Sequence, residues 1–143
     1  MSGKSKNNKV LLLPNPFVRQ VNADSNPSLL RIIWTSDYLQ IDFGYPTRSI
    51  YINGGWVNFG ANAYLEDIKN GKKYQLIDAD NIVLSPDKVE FDYNKARLFF
   101  SIKFEPIPLS DAVYNLFESD GRTENDFFYT GIHFDPKQLV EVI

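Results

Sequence analysis

The sequence predicts an all-β protein, specifically an immunoglobulin-like antiparallel β-sandwich of about seven to nine short strands. Apolar residues alternate with polar ones instead of recurring at helical spacing, and turn-forming Gly, Pro, Asn and Asp residues separate the runs. Phe and Tyr make up most of an aromatic fraction of 15%, as strands favour. The 143 residues fit one domain, so we expect a polar N-terminal arm over 1–9 and a single sandwich domain over 10–143.

Two runs show the period of two that is typical of a half-buried strand. They cover residues 38–43 and 98–104. Their apolar positions are Leu39, Ile41 and Phe43 in the first run and Leu98, Phe100, Ile102 and Phe104 in the second. Each run therefore offers one face to a core.

A hairpin is predicted where strands over 63–68 and 73–77 flank Asn70-Gly71, a pair that tolerates the positive φ of a type I′ turn. Further strands are predicted at 29–34, 49–52, 89–93 and 127–134, with turn signals between them. The segment 110–118 leaves two alternatives open. Ser110 and Asp111 could cap one short helix, or the same residues could begin a short strand.

Composition excludes several classes of function. The chain has no cysteine, which removes disulfides, thiolate metal ligands and a cysteine nucleophile. Its net charge of -3 lacks the basic excess of nucleic-acid-binding proteins. The apolar run 10–13 ends at Pro14 and is too short for a signal peptide or a bilayer span. We expect no nucleic-acid partner and no membrane span. We also expect a cytoplasmic location, unless a leader has been removed from the sequence, in which case the protein is exported.

Several segments together resemble a family of bacterial accessory β-sandwich domains. The segments are 63–67 (AYLED), 71–76 (GKKYQL), 104–108 (FEPIP) and Gly131-Ile132, and the resemblance covers roughly residues 29–134. Domains of that family are often attached to thioredoxin-like, peptidase or hydrolase domains. The resemblance implies a β-sandwich with an accessory role and no activity of its own.

Several side chains could take part in catalysis or metal binding, but the sequence shows no complete site for either. His133, the only histidine, could act as a general base beside Tyr129 and Asp135, but no G-x-S-x-G nucleophile accompanies it. The acidic loop 118–126 misses the spacing of a calcium-binding loop. Glu66 and Asp67 are adjacent on a strand and point to opposite faces, so they form no glycosidase pair. We expect no catalytic residues, no cofactor and no metal site.

The best candidate for a binding site is a group of large aromatic residues near glycines. Tyr51, Trp56 and Tyr64 could remain exposed as a binding patch, because Tyr51 and Tyr64 alternate with apolar neighbours. Aromatic residues of this kind anchor protein interfaces. The competing interpretation is core packing.

The sequence therefore indicates a non-catalytic protein-interaction or accessory module, not an enzyme, that binds a protein partner or copies of itself. One alternative is a structural subunit of a coat, tail or secretion assembly, in which the arm 1–9 and a C-terminal strand over 139–143 pair with neighbouring copies. A second is a small carbohydrate-binding or hydrolytic domain with Trp56 exposed beside carboxylates.

Overall fold

The computed structural model of the protein describes residues 9–14, 16, 18–20, 27–46, 55–57, 62–80, 89–91, 97–118 and 128–142. These residues form twelve strands: β1 (Leu11–Pro14), β2 (Arg19–Gln20), β3 (Ser28–Trp34), β4 (Leu39–Pro46), β5 (Gly55–Val57), β6 (Tyr64–Asp67), β7 (Lys73–Asp80), β8 (Val89–Phe91), β9 (Arg97–Phe104), β10 (Ala112–Phe117), β11 (Phe128–Phe134) and β12 (Val140–Glu141). A 3₁₀ turn covers Pro136–Gln138. The prediction of an all-β protein is confirmed.

Ten of these strands form one sheet in the order β12-β1-β3-β4-β9-β7-β6-β10-β11-β2, and β5 pairs with β8 separately. Every pairing is antiparallel. Strand β7 joins the two halves of the large sheet. Its first residues, Lys73–Gln75, pair with β6, whereas Leu76–Asp80 pair with β9 across a register shift. Such irregularities bend a strand, and the sheet curls at this point.

The curled sheet closes around one core. The ring of Phe43 on β4 stacks on Phe100 of β9 at a centroid distance of 5.0 Å and lies 5.6 Å from the ring of Tyr129 on β11. Since β4 and β11 belong to opposite halves of the sheet order, this contact shows that the two halves face each other. Burial of each such side chain contributes about 1.5–3 kcal/mol.

The two alternating runs place their apolar residues as predicted. Leu39, Ile41 and Phe43 on β4 are buried. So are Phe100, Ile102 and Phe104 on β9, which pairs with β4 along its whole length. The side chain of Leu98 lies outside the described part of the structure. The expected strands at 29–34 and 127–134 correspond to β3 and β11, and β8 covers the start of 89–93, while 49–52 falls outside the described residues.

The predicted hairpin is confirmed as β6–β7, but its turn is not a two-residue type I′ turn. Residues 68–71 form a four-residue loop, closed by bonds from Gly71 N–H to the Asp67 carbonyl (2.7 Å) and from Asp67 N–H to the Lys72 carbonyl (2.9 Å). The Asp67 carboxylate accepts from Lys69 N–H at 2.9 Å, which favours this wider loop. Gly71 provides the positive φ of 76° that the loop requires.

The segment 110–118 is a strand, so the helix alternative is wrong. Strand β10 pairs with β6 on one side and β11 on the other. Its alternate residues Tyr114 and Leu116 are buried, which is the period of a strand. Two neighbouring strands outweigh the weak capping signal of Ser110 and Asp111. The described part of the chain contains no helix with the length and apolar character that a bilayer crossing requires.

The two faces of the sheet predict contrasting effects of mutation. We expect Phe43→Ala to lower the free energy of unfolding by about 3–5 kcal/mol, because it empties the contact between the halves of the sheet. Phe99→Ala, on the outer face of the neighbouring strand, should cost less than about 1 kcal/mol. Urea unfolding followed by tryptophan fluorescence measures both. Equal losses would contradict the assignment of the two faces.

Candidate functional site

A groove lies on the outer face of β3, β4 and β9, opposite the core. Its volume is about 440 Å³. The residues that line it come from these three strands: Leu30, Arg31, Asp42, Phe43, Phe99, Phe100 and Ser101. We call this feature the outer groove.

Two irregularities shape the apolar end of the outer groove. Leu30 is the extra residue of a bulge in β3, since Leu29 pairs with Phe43 and Arg31 pairs with Asp42. Gly44 lies opposite Phe99 in the β4–β9 ladder, and a methyl group at Gly44 would lie 3.2 Å from the Phe99 ring and 3.3 Å from Leu30. The absence of a side chain at Gly44 therefore leaves a floor on which Phe99 and Leu30 lie.

Phe99 and Leu30 remain open to solvent despite these contacts. Phe99 is 58% exposed and Leu30 is 41% exposed. An aromatic ring over a cross-strand glycine also protects the backbone, which is a structural role for Phe99. This structural role for Phe99 does not explain why the bulge in β3 places Leu30 beside the Phe99 ring. Together the two side chains form an exposed apolar pair.

The polar end of the outer groove is centred on Asp42. Arg31 Nε donates to its Oδ2 atom, while Gln40 Nε2 and Ser101 Oγ donate to Oδ1 at 2.8 and 2.6 Å. Burial of Asp42 raises its pKa, but the hydrogen bonds from Arg31, Ser101 and Gln40 outweigh burial, and the pKa lies below the ordinary value of an aspartate. Asp42 is therefore a carboxylate held in place by three donors.

Arg31 retains donors for a ligand. Its side chain is 55% exposed, and only Nε bonds to Asp42. The two terminal NH₂ groups of the guanidinium have no partner among the described residues. Planar pairs of N–H groups of this kind suit a carboxylate oxygen of a bound molecule.

Of the predicted aromatic patch, the structure describes only Tyr64 and the backbone of Trp56. Tyr64 is 7% exposed, because its ring stacks on Phe117 at 5.3 Å and the Lys73 ammonium lies 4.7 Å above it. Trp56 belongs to β5, but its side chain is outside the described part of the structure, as is all of Tyr51. Tyr64 thus lies opposite the core residue Leu65, with its ring covered by Phe117 and Lys73, and the patch as a whole stays a prediction.

His133 lies in a cluster that the sequence only partly indicated. Its Nε2 is 2.8 Å from Oδ1 of Asp111, and Asp135 lies close to both. Tyr129, the other neighbour expected for His133, is buried and donates its hydroxyl to the Pro27 carbonyl at 2.7 Å. The acidic loop 118–126 falls outside the described residues except for Glu118, which is buried.

A second polar group lies within the core between β6, β7 and β10. The Tyr114 hydroxyl is buried and has no hydrogen-bond partner among the residues that the structure describes. Its ring meets Tyr74 edge-on at 6.1 Å. Burial, followed by the charge of Asp67, raises the pKa of the Tyr74 hydroxyl, and burial also raises the pKa of Tyr114 well above 10. Neither hydroxyl ionises near neutral pH, and both belong to the core.

Sequence patterns contained one signal for the outer groove. Phe99 is the only aromatic residue at the alternate positions of the run 98–104, where Ser101 and Lys103 are polar. A large apolar side chain on the polar face of a strand is unusual and marks a candidate contact. The bulge at Leu30 gave no comparable signal.

Comparisons with protein-family models, curated proteins and solved structures found no match to this chain. The resemblance to accessory β-sandwich domains therefore stays a prediction.

The hydrogen bonds to Asp42 predict that the free energy of unfolding depends on pH. Because its folded pKa is lowered, Asp42 stabilises the fold above the unfolded pKa, and this contribution is lost as pH falls through the folded value. We expect Asp42→Asn to destabilise the protein at neutral pH, with a deficit that shrinks below about pH 4. Urea unfolding from neutral to acidic pH measures this. Asp37→Asn, at an exposed carboxylate, is the control, and a deficit independent of pH would contradict the prediction.

Proposed function

We propose that the protein is a non-catalytic interaction module that binds an extended segment of a protein partner in the outer groove. The observation that carries this proposal is the exposure of Phe99 and Leu30 beside the polar end of the outer groove. Exposed apolar pairs next to a charged group are typical of contact sites between proteins. The expected patch of Tyr51, Trp56 and Tyr64 would be a different surface.

The shape of the apolar end favours a side chain as the ligand. Phe99 and Leu30 both lie over the glycine at position 44, and their outer surfaces present carbon to solvent. A large apolar side chain of the partner would displace water from both. Aromatic anchors of this type carry much of the energy of interfaces.

The charges at the other end favour a carboxylate beside that side chain. Asp42 is neutralised by Arg31, and the guanidinium keeps its terminal N–H groups toward solvent. A carboxylate would therefore meet donors and not an unpaired negative charge. The partner is a protein segment in which Asp or Glu neighbours a large apolar residue.

The finer description of the fold as an immunoglobulin-like sandwich belongs to the same proposal. It is supported by the contact between Phe43 and Tyr129 across the core and by the change of partner along β7. A sandwich of this kind leaves its outer faces free for accessory roles. The resembling family of accessory domains fits this proposal.

Selection from a library of random displayed peptides tests the proposed function. Wild-type protein should enrich peptides with a large apolar residue next to Asp or Glu. Phe99→Ser should weaken binding of the enriched peptides at least about tenfold, which corresponds to about 1.4 kcal/mol. Fluorescence anisotropy of labelled peptides measures the affinities.

The matched control is Leu109→Ser, because Leu109 is 47% exposed and lies outside the strands that form the outer groove. This variant should bind as wild type does. Arg31→Lys, which keeps the charge but not the planar pair of N–H groups, should reduce the preference for acidic peptides. No enrichment by the folded wild type, or equal loss in both serine variants, would overturn the proposal.

Self-assembly is a second candidate, which one specific observation favours. Strand β12 is the last in the order of the described sheet and pairs with β1 alone. Val140 and Val142 at this edge are exposed. Edges with exposed apolar residues pair with strands of other chains. The segment 139–143 would then join two copies in addition to its pairing with β1.

Assembly through β12 predicts a dimer that depends on this edge. We expect wild-type protein to sediment increasingly as a dimer as its concentration rises, and Val140→Lys to remain a monomer because a lysine opposes edge pairing. Analytical ultracentrifugation distinguishes the two. Leu109→Lys, at an exposed apolar residue outside the strands, is the control. A wild type that stays monomeric at every concentration would contradict this candidate.

A further inference from the structure

Three metal-ligating side chains meet where strands β10 and β11 come together at one end of their ladder. Ala112 pairs with Phe134, so Asp111 and Asp135 flank the last pair of the ladder. His133 and Asp135 are two residues apart, and both alternate with the buried Ile132 and Phe134. The period of two therefore turns the imidazole and both carboxylates to the outer side of the sheet.

The ligand atoms of this cluster are close enough to share one ion. One donor atom from each of Asp111, His133 and Asp135 lies within 4.8 Å of the others, and His133 Nε2 is 2.8 Å from Asp111 Oδ1. Atoms that bind one zinc ion at about 2.0–2.2 Å lie about 3–3.5 Å apart. The side chains of His133 and Asp111 are 43% and 65% exposed, so small rotations reach this spacing.

Lone pairs for a metal remain on each carboxylate. Asp135 uses Oδ1 to accept from Lys137 N–H at 3.0 Å, which caps the 3₁₀ turn and fixes the orientation of the carboxylate. No described residue bonds to its Oδ2 atom, and Asp111 has no described side-chain partner other than His133. The resting contact between His133 and Asp111 is a hydrogen bond that an ion would replace.

We propose that Asp111, His133 and Asp135 form a binding site for a borderline divalent transition-metal ion such as Zn²⁺. One imidazole nitrogen with two carboxylate oxygens suits this class, whereas Ca²⁺ and Mg²⁺ prefer sites made of oxygen alone. Three protein ligands leave at least one position of a tetrahedral ion open to water. This site is independent of the outer groove, which belongs to β3, β4 and β9.

The single histidine makes the test direct. Protein freed of any histidine tag and of metal is titrated with ZnCl₂ at neutral pH while the ¹⁵N resonances of the one imidazole are recorded. We expect stoichiometric Zn²⁺ to shift Nε2 strongly, and isothermal titration calorimetry to give one site. Equal concentrations of MgCl₂ or CaCl₂ should leave Nε2 in place.

Variants distinguish specific Zn²⁺ binding at this site from a general attraction of cations to carboxylates. His133→Gln and Asp111→Asn should each weaken Zn²⁺ binding at least tenfold, while Asp135→Asn should weaken it and still cap the 3₁₀ turn through the amide oxygen. Asp78→Asn, at an exposed carboxylate on β7, should bind Zn²⁺ as wild type does. Circular dichroism confirms that each variant is folded. An imidazole that does not respond to Zn²⁺, or equal affinity in His133→Gln, would overturn the proposal.

Discussion

The fold depends on the contact that Phe43 makes across the core. Neighbouring strands hold each half of the sheet together by backbone hydrogen bonds, but only side chains connect the faces of the two halves. Phe43 stacks on Phe100 within its own half and touches Tyr129 in the other. Tyr129 in turn donates to the carbonyl of Pro27, just before β3. The curl at β7 brings these residues together and is stabilised by their burial.

The alternation of side chains along β4 and β9 directs some residues into the core and the residues between them into the outer groove. When one side chain of β4 or β9 points into the core, its two neighbours in the strand point outward. The burial of Phe43 and Phe100 therefore determines where Asp42 and Phe99 lie. A slip of one residue would bury the Asp42 carboxylate in β4 or the Lys103 ammonium in β9, and would expose the core. The outer face is consequently as well defined in position as the core, although it contributes less to stability.

Local patterns in the sequence predicted the features that depend on residues close together in the chain. They did not predict the features that depend on the register between strands. The alternation in β4 and β9 and the β6–β7 hairpin follow from residues close together in the chain. The 110–118 segment remained ambiguous because its strand form requires β6 and β11 on either side. Tyr64 shows the same limit: alternation allowed an exposed ring, but Phe117 on the adjacent strand covers it. Asp135 lies two residues from His133 in the chain, but Asp111 approaches His133 only through the β10–β11 register.

The hydrogen bonds of Asp42 suit it to hold Arg31 and not to act as a general base. A general base needs a pKa near the working pH and an unoccupied lone pair directed at a substrate. Asp42 has a lowered pKa, and Arg31, Gln40 and Ser101 occupy its oxygens. Its Oδ2 atom instead holds Arg31 through Nε beside the apolar pair. A donor held next to an apolar surface lowers the entropy cost of binding, which supports the role proposed for the outer groove.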